Sequence, residues 1–275
     1  TKGGDDATGP ALVDVDCNLL HSDLMSFMGS VSSIWIENGV EVALKILHHP
    51  STTKSNIVGM ISPSSTIDES VRSVRLLDSS TDEQRNSICV KTTVGVHPYH
   101  AKEEGPPGPE NLSKLRHLLD GPNSNAIISC IGETGLDYSD GFPEREHQIP
   151  WFGAQLDLAF ERNLPVFLHE RLAFEDTLQC IDEAAKRHAG KTIPKIIVHC
   201  YTGTFAECEE YMKRDYMYTS ISGYILKPGE GSDEVRRCLR EGIVPMDRLM
   251  IETDAPYLGF AGNKDSFFDE EGESF

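Results

Sequence analysis

Eight short runs rich in apolar and β-branched residues recur along the chain, separated by longer stretches with helical periodicity, and this alternation restricts the fold more than any other feature. The runs are ALVDVD (11–16), NIVGMIS (56–62), TTVGVH (92–97), AIISCIGE (126–133), PVFLH (165–169), KIIVHC (195–200), MYTSIS (217–222) and RLMIET (248–253). Between the fourth and fifth, Ile149, Phe152, Leu156 and Phe160 fall on one helical face, with Pro150 expected in the first turn, where a missing N–H is tolerated. Val40/Leu44/Leu47, Leu112/Leu115/Leu118 and Leu178/Ile181/Ala185 form comparable stripes and read as core packing. Polar, Pro- and Gly-punctuated stretches at 48–56, 78–88 and 101–110 read as loops. Eight strands with intervening helices predict an α/β fold, a TIM (β/α)₈ barrel. A doubly wound open sheet is the alternative, but DCNLLHSD after the first run lacks the Gly-rich phosphate loop expected there.

The 275 residues, 39% of them hydrophobic, fit one large domain or two small ones. A chain of this size needs neither disulfides nor metal to stabilise its core. Residues 1–10 read as an N-terminal extension, 11–258 as the barrel and 259–275 as an acidic tail, where Asp265, Asp269, Glu270, Glu271 and Glu273 crowd together. After the eighth run about twenty residues remain, with no periodic stretch. The barrel is therefore expected to lack its last helix, leaving apolar surface between the first and last strands and suggesting truncation.

With 25 Lys and Arg against 44 Asp and Glu, the net charge of −19 opposes long-range attraction of a polyanion and disfavours a protein that coats nucleic acid. A local metal site that grips phosphate remains compatible. No run of about 18 apolar residues exists, so no membrane span is expected. The start of the chain shows no secretory signal, although the missing initiator Met allows for an earlier segment that was removed. Seven scattered cysteines without a CxxC pair suggest reduced, packed thiols and an intracellular location, cytoplasmic or nuclear.

In a barrel of this type catalytic groups come from the C-terminal ends of different strands. Asp14 and Asp16 end the first run, His97 the third, Glu133 the fourth, His169 the fifth and His199 the sixth, with Glu252 and Asp254 at the eighth. Singly, a histidine there is more often a hydrogen-bonded rim residue than a ligand. Together the carboxylates and imidazoles converge on one mouth, and mixed N and O ligation suits Zn²⁺, Mn²⁺ or Mg²⁺. A metal pair sharing a carboxylate activates water and stabilises attacking and leaving oxygens, which makes hydrolysis the natural reaction class.

The motifs GVHPYHA (95–101), IGETGLDY (131–138), QLDLAFERNLPVFLHER (155–171), VHCYTGT (198–204) and ETDAPYL (252–258) resemble the TatD family of metal-dependent deoxyribonucleases, in family order from about residue 12 to residue 258. The resemblance implies a hydrolase of the metal-dependent barrel type in which Glu133 bridges two divalent metals. His169 and His199 would complete one site, and Asp254 would bind the other metal and orient the attacking water. His97 would contact the scissile phosphate or protonate the leaving oxygen. Arg171, two residues after His169, would clamp a phosphate, with a rim salt bridge as the equal alternative.

The chain departs from the family at the first strand. Many members carry an HxH pair there, whereas this sequence reads DVDCNL, with Asp16 and Asn18 at those positions. Asp16 is either a ligand or a hydrogen-bonding turn residue. The loss of nitrogen ligands implies weaker or more exchangeable binding near Asp254 and favours Mg²⁺ or Mn²⁺, with Zn²⁺ as the alternative. Cys17 and Cys200 near the mouth read as packing residues. Gly135 and Gly203 read as turn glycines needing positive φ.

The expected activity is exonucleolytic hydrolysis of short or single-stranded DNA ends, with no obligate protein partner. A small-molecule hydrolase of the wider superfamily is an alternative, although the fourth strand ends in Glu133 where a carbamylated lysine would be sought. A catalytically weakened interaction module is another.

Overall fold

The computed structural model describes residues 11–18, 57–79, 89–255 and 257–258. The Val40/Leu44/Leu47 stripe, the 48–56 loop, the 78–88 loop beyond Ser79, the N-terminal extension, the acidic tail and the expected place of a last helix lie outside these residues.

All eight apolar runs contain strands: β1 (Leu12–Asp14), β2 (Ile57–Ser62), β3 (Cys89–Val94), β4 (Ile128–Asp137), β5 (Val166–Arg171), β6 (Ile196–Val198), β7 (Met217–Ile221) and β8 (Leu249–Ile251). They pair in sequence order, each parallel to the next. Val15 N donates to Ile251 O at 3.3 Å, Asp254 N to Asp16 O at 2.9 Å and Asn18 N to Ala255 O at 2.9 Å, so the last strand meets the first and the barrel closes.

Helices α1 (Ile67–Asp78), α2 (Pro109–Leu119), α3 (Arg145–Arg162), α4 (Phe174–Arg187), α5 (Phe205–Met212) and α6 (Glu230–Arg240) connect the strands from β2 onward. Their ends carry local signals. Thr66 caps α1 by accepting from Glu69 N, Pro109 opens α2, and Thr204 and Glu207 form a reciprocal capping box at α5. Asn163, left-handed at φ 52°, ends α3.

Pro150 corrects the sequence reading. Helix α3 starts at Arg145, which puts Pro150 in the second turn, where its missing N–H deprives Glu146 O of an intrahelical partner. The helix entry is wound more tightly than an α-turn, with His147 N donating to Glu144 O. The apolar stripe still performs as expected: Phe152, Leu156 and Phe160 are buried and Ile149 packs against them. Leu115 and Ile181 are buried in the same layer, with Leu112, Leu118, Leu178 and Ala185 packed around it.

Inside the barrel, Val15, Cys130, Phe167 and Ile197 form a separate apolar floor. Val13, Val58 and Ile251, on β1, β2 and β8, are exposed. All seven cysteines are free; five are buried, but Cys89 lies exposed at the start of β3, outside the packed pattern expected of it. No helix among the described residues is long and apolar enough to cross a membrane.

Candidate active site

Strand alternation delivers the polar groups to the barrel mouth. A register shift in β4 between Ile131 and Thr134 re-aims Glu133, after which every second residue of the strand, Gly135 and Asp137, lies on the same inner face. Gly135 pairs with His169, and a Cβ at Gly135 would sit 1.9 Å from His169 O. Gly135 is therefore a strand glycine with φ 141°, demanded by close approach to β5, and not the turn residue the sequence suggested. Gly203 is also glycine for space, because a Cβ would meet the Tyr201 hydroxyl at 2.7 Å.

Two glutamines on the inward face of α3 fix the strand ends. Gln155 Oε1 accepts from Val96 N at 2.8 Å while its Nε2 donates to Val96 O at 3.0 Å, beside His97. Two helical turns earlier, Gln148 makes the same paired contact with Asp137 N and O at 2.8 and 2.7 Å. Both glutamines are fully buried, and each satisfies backbone groups whose exposure to an apolar interior would cost about 1–3 kcal/mol apiece. The turn after β2 completes the frame: Ser64 O accepts from Glu133 N and Ser65 O from His97 N, each at 2.9 Å.

Glu133 Oε1 is the hub of the mouth. It lies 2.7 Å from His199 Nε2, 3.2 Å from His169 Nδ1 and 3.2 Å from His97 Nε2. His169 Nδ1 and His199 Nε2 are themselves 3.2 Å apart. Potential ligand atoms fall into two groups sharing Glu133: His97, Glu133 and His169, and Asp16, Glu133 and His199.

The surrounding bonds distinguish the roles of the histidines. His97 Nδ1 accepts from Tyr99 N at 3.1 Å, so in the neutral ring the proton is on Nε2 and is donated towards Glu133. His97 is thus a donor to the mouth. His169 Nε2 donates to Asp137 Oδ2 at 2.8 Å, and the neutral ring then turns its Nδ1 lone pair to Glu133. His199 Nδ1 lies 3.1 Å from Asp16 Oδ2 and 3.8 Å from Glu252 Oε1 without an aligned hydrogen bond to either, and its Nε2 faces Glu133 Oε1 at 2.7 Å.

Glu133 Oε1, His169 Nδ1 and His199 Nε2 form a triangle with edges of 2.7, 3.2 and 3.2 Å, whose two nitrogen corners accept when the rings are neutral. With both rings neutral, three lone pairs this close repel unless a cation lies among them; in the metal-free chain the proton favoured on His199 and His169 fills that role, and a metal ion would replace it. Ligand atoms bound to a divalent metal at roughly 2.0–2.2 Å stand about 3 Å apart, so the triangle fits such an ion.

Electrostatics follow the same geometry. Burial acts to raise Glu133, but His199, His97 and His169 outweigh it and hold the carboxyl well below its usual range. Burial opposes charge on His199, and Glu133 and Asp16 overcome it, pushing the imidazole well up. Burial holds His97 down. Asp254, in left-handed backbone at φ 52°, is outside both ligand groups, and burial pushes its carboxyl up to about 7, His199 opposing and Glu133 and Glu252 reinforcing the rise.

At the first strand, Asn18 Nδ2 donates to Asp16 Oδ1 and to Ala255 O, both at 3.1 Å. Two acceptors fix the amide, so Asn18 turns its donor group inward. Asp14 binds Thr253 N and Oγ1 at 2.9 and 2.7 Å and ties β1 to the β8 end. Ser220 Oγ donates to Glu252 Oε2 at 2.6 Å. Cys17 and Cys200 have thiols pushed far up by burial, as suits packing residues. Arg171 is exposed at the end of β5, and among the described residues no salt bridge involves it, so the rim salt-bridge alternative has no partner there.

Asp137, the Asp of IGETGLDY, carries a role that the motif alone does not assign. The signal was present: it lies four residues after Glu133 on an alternating strand. Carboxylates that orient a ligating imidazole typically matter 10–100-fold for metal affinity, and Asp137→Ala is expected to weaken divalent-ion binding by about that factor, measured by calorimetric titration. Unchanged affinity would remove Asp137 from the site.

A parallel eight-stranded barrel with a carboxylate and histidine cluster at its C-terminal mouth places the chain among the TIM-barrel hydrolases. Within it, the profile described as TatD related DNase matches residues 44–266, and the chain belongs to that family. The 3'-5' ssDNA/RNA exonuclease TatD of Erwinia billingiae is 37% identical over 167 residues, covering 61% of this chain and 58% of that one. The protein of the same name from Enterobacter lignolyticus is 31% identical over 206 residues, covering 74% and 70%. Among solved structures, a hydrolase TatD family protein from Entamoeba histolytica superposes with a TM-score of 0.69 at 22% identity, covering 94% of this chain and 79% of that chain. The chain thus spans under two thirds of the length of the Erwinia relative.

Proposed function

We propose that the chain is a divalent-metal-dependent nuclease that removes nucleotides from the ends of short or single-stranded DNA. The acceptor triangle of Glu133, His169 and His199 carries this reading, and the relatives named for single-stranded DNA and RNA support the substrate class and extend it to RNA. Glu133 would be shared between two ions, with His169 and His199 holding the first and Asp254 contributing to the second. Bound Mg²⁺ or Mn²⁺, with Zn²⁺ as the alternative, supplies Lewis acidity towards a phosphoryl oxygen and acidifies water.

The chain's own residues do the rest. His97 directs its Nε2 proton at the mouth, where a phosphate or leaving oxygen can accept it. Asp254, raised by burial, is suited to orient water and take its proton at the carboxylate. Arg171 offers a planar fork to phosphate. Asp16 offers its buried Oδ2, which has no hydrogen-bond partner among the described residues, to the second ion, while Asn18 engages its Oδ1.

That leaves the second site with oxygen ligands from the protein. Dialysed protein is expected to retain one ion per chain and to take up a second only as free Mg²⁺ or Mn²⁺ rises, read by elemental analysis. Two tightly retained ions would contradict this ligand assignment. The exonucleolytic mode is tested on a 5'-labelled single strand, which should shorten by single nucleotides in Mn²⁺; internal fragments appearing first would oppose it. With a net charge of −19 the basic footprint of a tight nucleic-acid binder is missing, which fits weak engagement of short substrates.

A further inference from the structure

An aromatic ledge stands beside the histidines and has no part in the chemistry above. Phe142, in the loop after β4, lies nearly parallel to the His169 ring, with centroids 6.1 Å apart and planes at 21°, and 6.0 Å from His97. Tyr99, in the turn after β3, meets Phe142 edge to face at 5.4 Å and 83°. Tyr99 is 54% exposed although it sits two residues from His97. Its position is set by the hydrogen bond that aims His97, since Tyr99 N donates to His97 Nδ1 at 3.1 Å. The next strand end in the barrel, that of β5, carries the exposed Arg171 and then Leu172, which is 75% exposed in left-handed backbone at φ 55°.

A chain with a net charge of −19 gains little from long-range attraction to phosphate, so affinity for a nucleic acid must come from a contact of another kind. Aromatic rings that stack on bases supply such contacts, and they tolerate any sequence because every base has a π-face. We infer that Tyr99, backed by Phe142, is the stacking surface for an unpaired nucleobase flanking the scissile phosphate. The inference rests on the nuclease reading for its ligand class. A paired, stacked base has no free face, so the ledge selects single strands and frayed ends, and it selects them equally in DNA and RNA.

The test is fluorescence anisotropy in EDTA, where hydrolysis does not interfere. The probes are a labelled oligothymidine and an abasic strand of equal length, titrated with the wild type, Tyr99→Ala and Tyr99→Trp. Tyr99 is half exposed, so its removal leaves the core packing intact. Tyr99→Ala is expected to weaken oligothymidine binding by about tenfold or more, and Tyr99→Trp to retain it. The abasic strand should bind the wild type weakly and be indifferent to both substitutions. Equal binding of oligothymidine by wild type and Tyr99→Ala, equal loss for both strands, or no binding of either strand by the wild type would overturn the inference. A base-dependent, Tyr99-dependent affinity in a protein that cleaves nothing with any divalent ion would leave the ledge standing and remove the nuclease reading. Cleavage that is normal in Tyr99→Ala would do the reverse.

Discussion

Glu133→Ala is expected to empty both metal sites and to reduce phosphodiester hydrolysis by ~10³-fold or more, the scale on which removal of a central electrostatic group acts. The reason is geometric. A single oxygen, Glu133 Oε1, lies within 3.2 Å of three imidazole nitrogens, so its loss removes the shared corner of both candidate ligand groups. Folding should survive, because the backbone around residue 133 is held by Ser64 O and by the strand ladder. Elemental analysis and activity measured on one preparation check the result. Two ions per chain in the variant would end the bridging role.

Asp254→Asn is expected to lower kcat by about 10²–10⁴-fold, the usual range for a lost proton acceptor, with the fold intact. Asparagine keeps the shape and the Asp16 backbone contact but cannot take a proton. The same variant carries a signature in stability. Asp254 is pushed from 3.8 up to about 7, so between those values the folded, metal-free chain holds a proton that the unfolded chain releases. The unfolded state then binds fewer protons, and this residue's contribution makes stability in EDTA fall as pH rises from about 4 to about 7, levelling off above. Asp254→Asn should flatten that part of the slope in a thermal-melt series. An unchanged slope would show that burial does not raise Asp254. Unchanged turnover would assign the proton transfer to another group.

The barrel was legible because β-strand and helical periodicities alternate along the chain, and each apolar run holds a strand. The run ends also named the mouth: His97, Glu133, His169 and His199 do meet there. What the sequence hid depends on atoms and not on positions. That His97 turns its Nε2 proton to the mouth while His169 turns its Nδ1 there follows from Tyr99 N and from Asp137, and periodicity has no access to which ring nitrogen carries a proton. Asp16 reads as either a ligand or a turn residue, and only atoms show that its two oxygens divide the roles: Asn18 engages Oδ1 while Oδ2 has no hydrogen-bond partner among the described residues. Gly135 reads as a turn because glycine usually marks one, yet it sits where β4 and β5 approach too closely for a Cβ. The Gln148 and Gln155 clamps were invisible because a buried glutamine on a helix looks like an ordinary polar residue until its backbone partners are known.

The most direct measurement is hydrolysis of short single-stranded and duplex DNA by the purified chain in Mg²⁺, Mn²⁺ or Zn²⁺, with EDTA and Glu133→Ala as controls. Cleavage that requires the metal, favours the single strand and disappears in the variant is expected. Absence of cleavage in a protein that demonstrably binds the ion, or cleavage that persists in Glu133→Ala, would contradict the assignment of this mouth as a nuclease site.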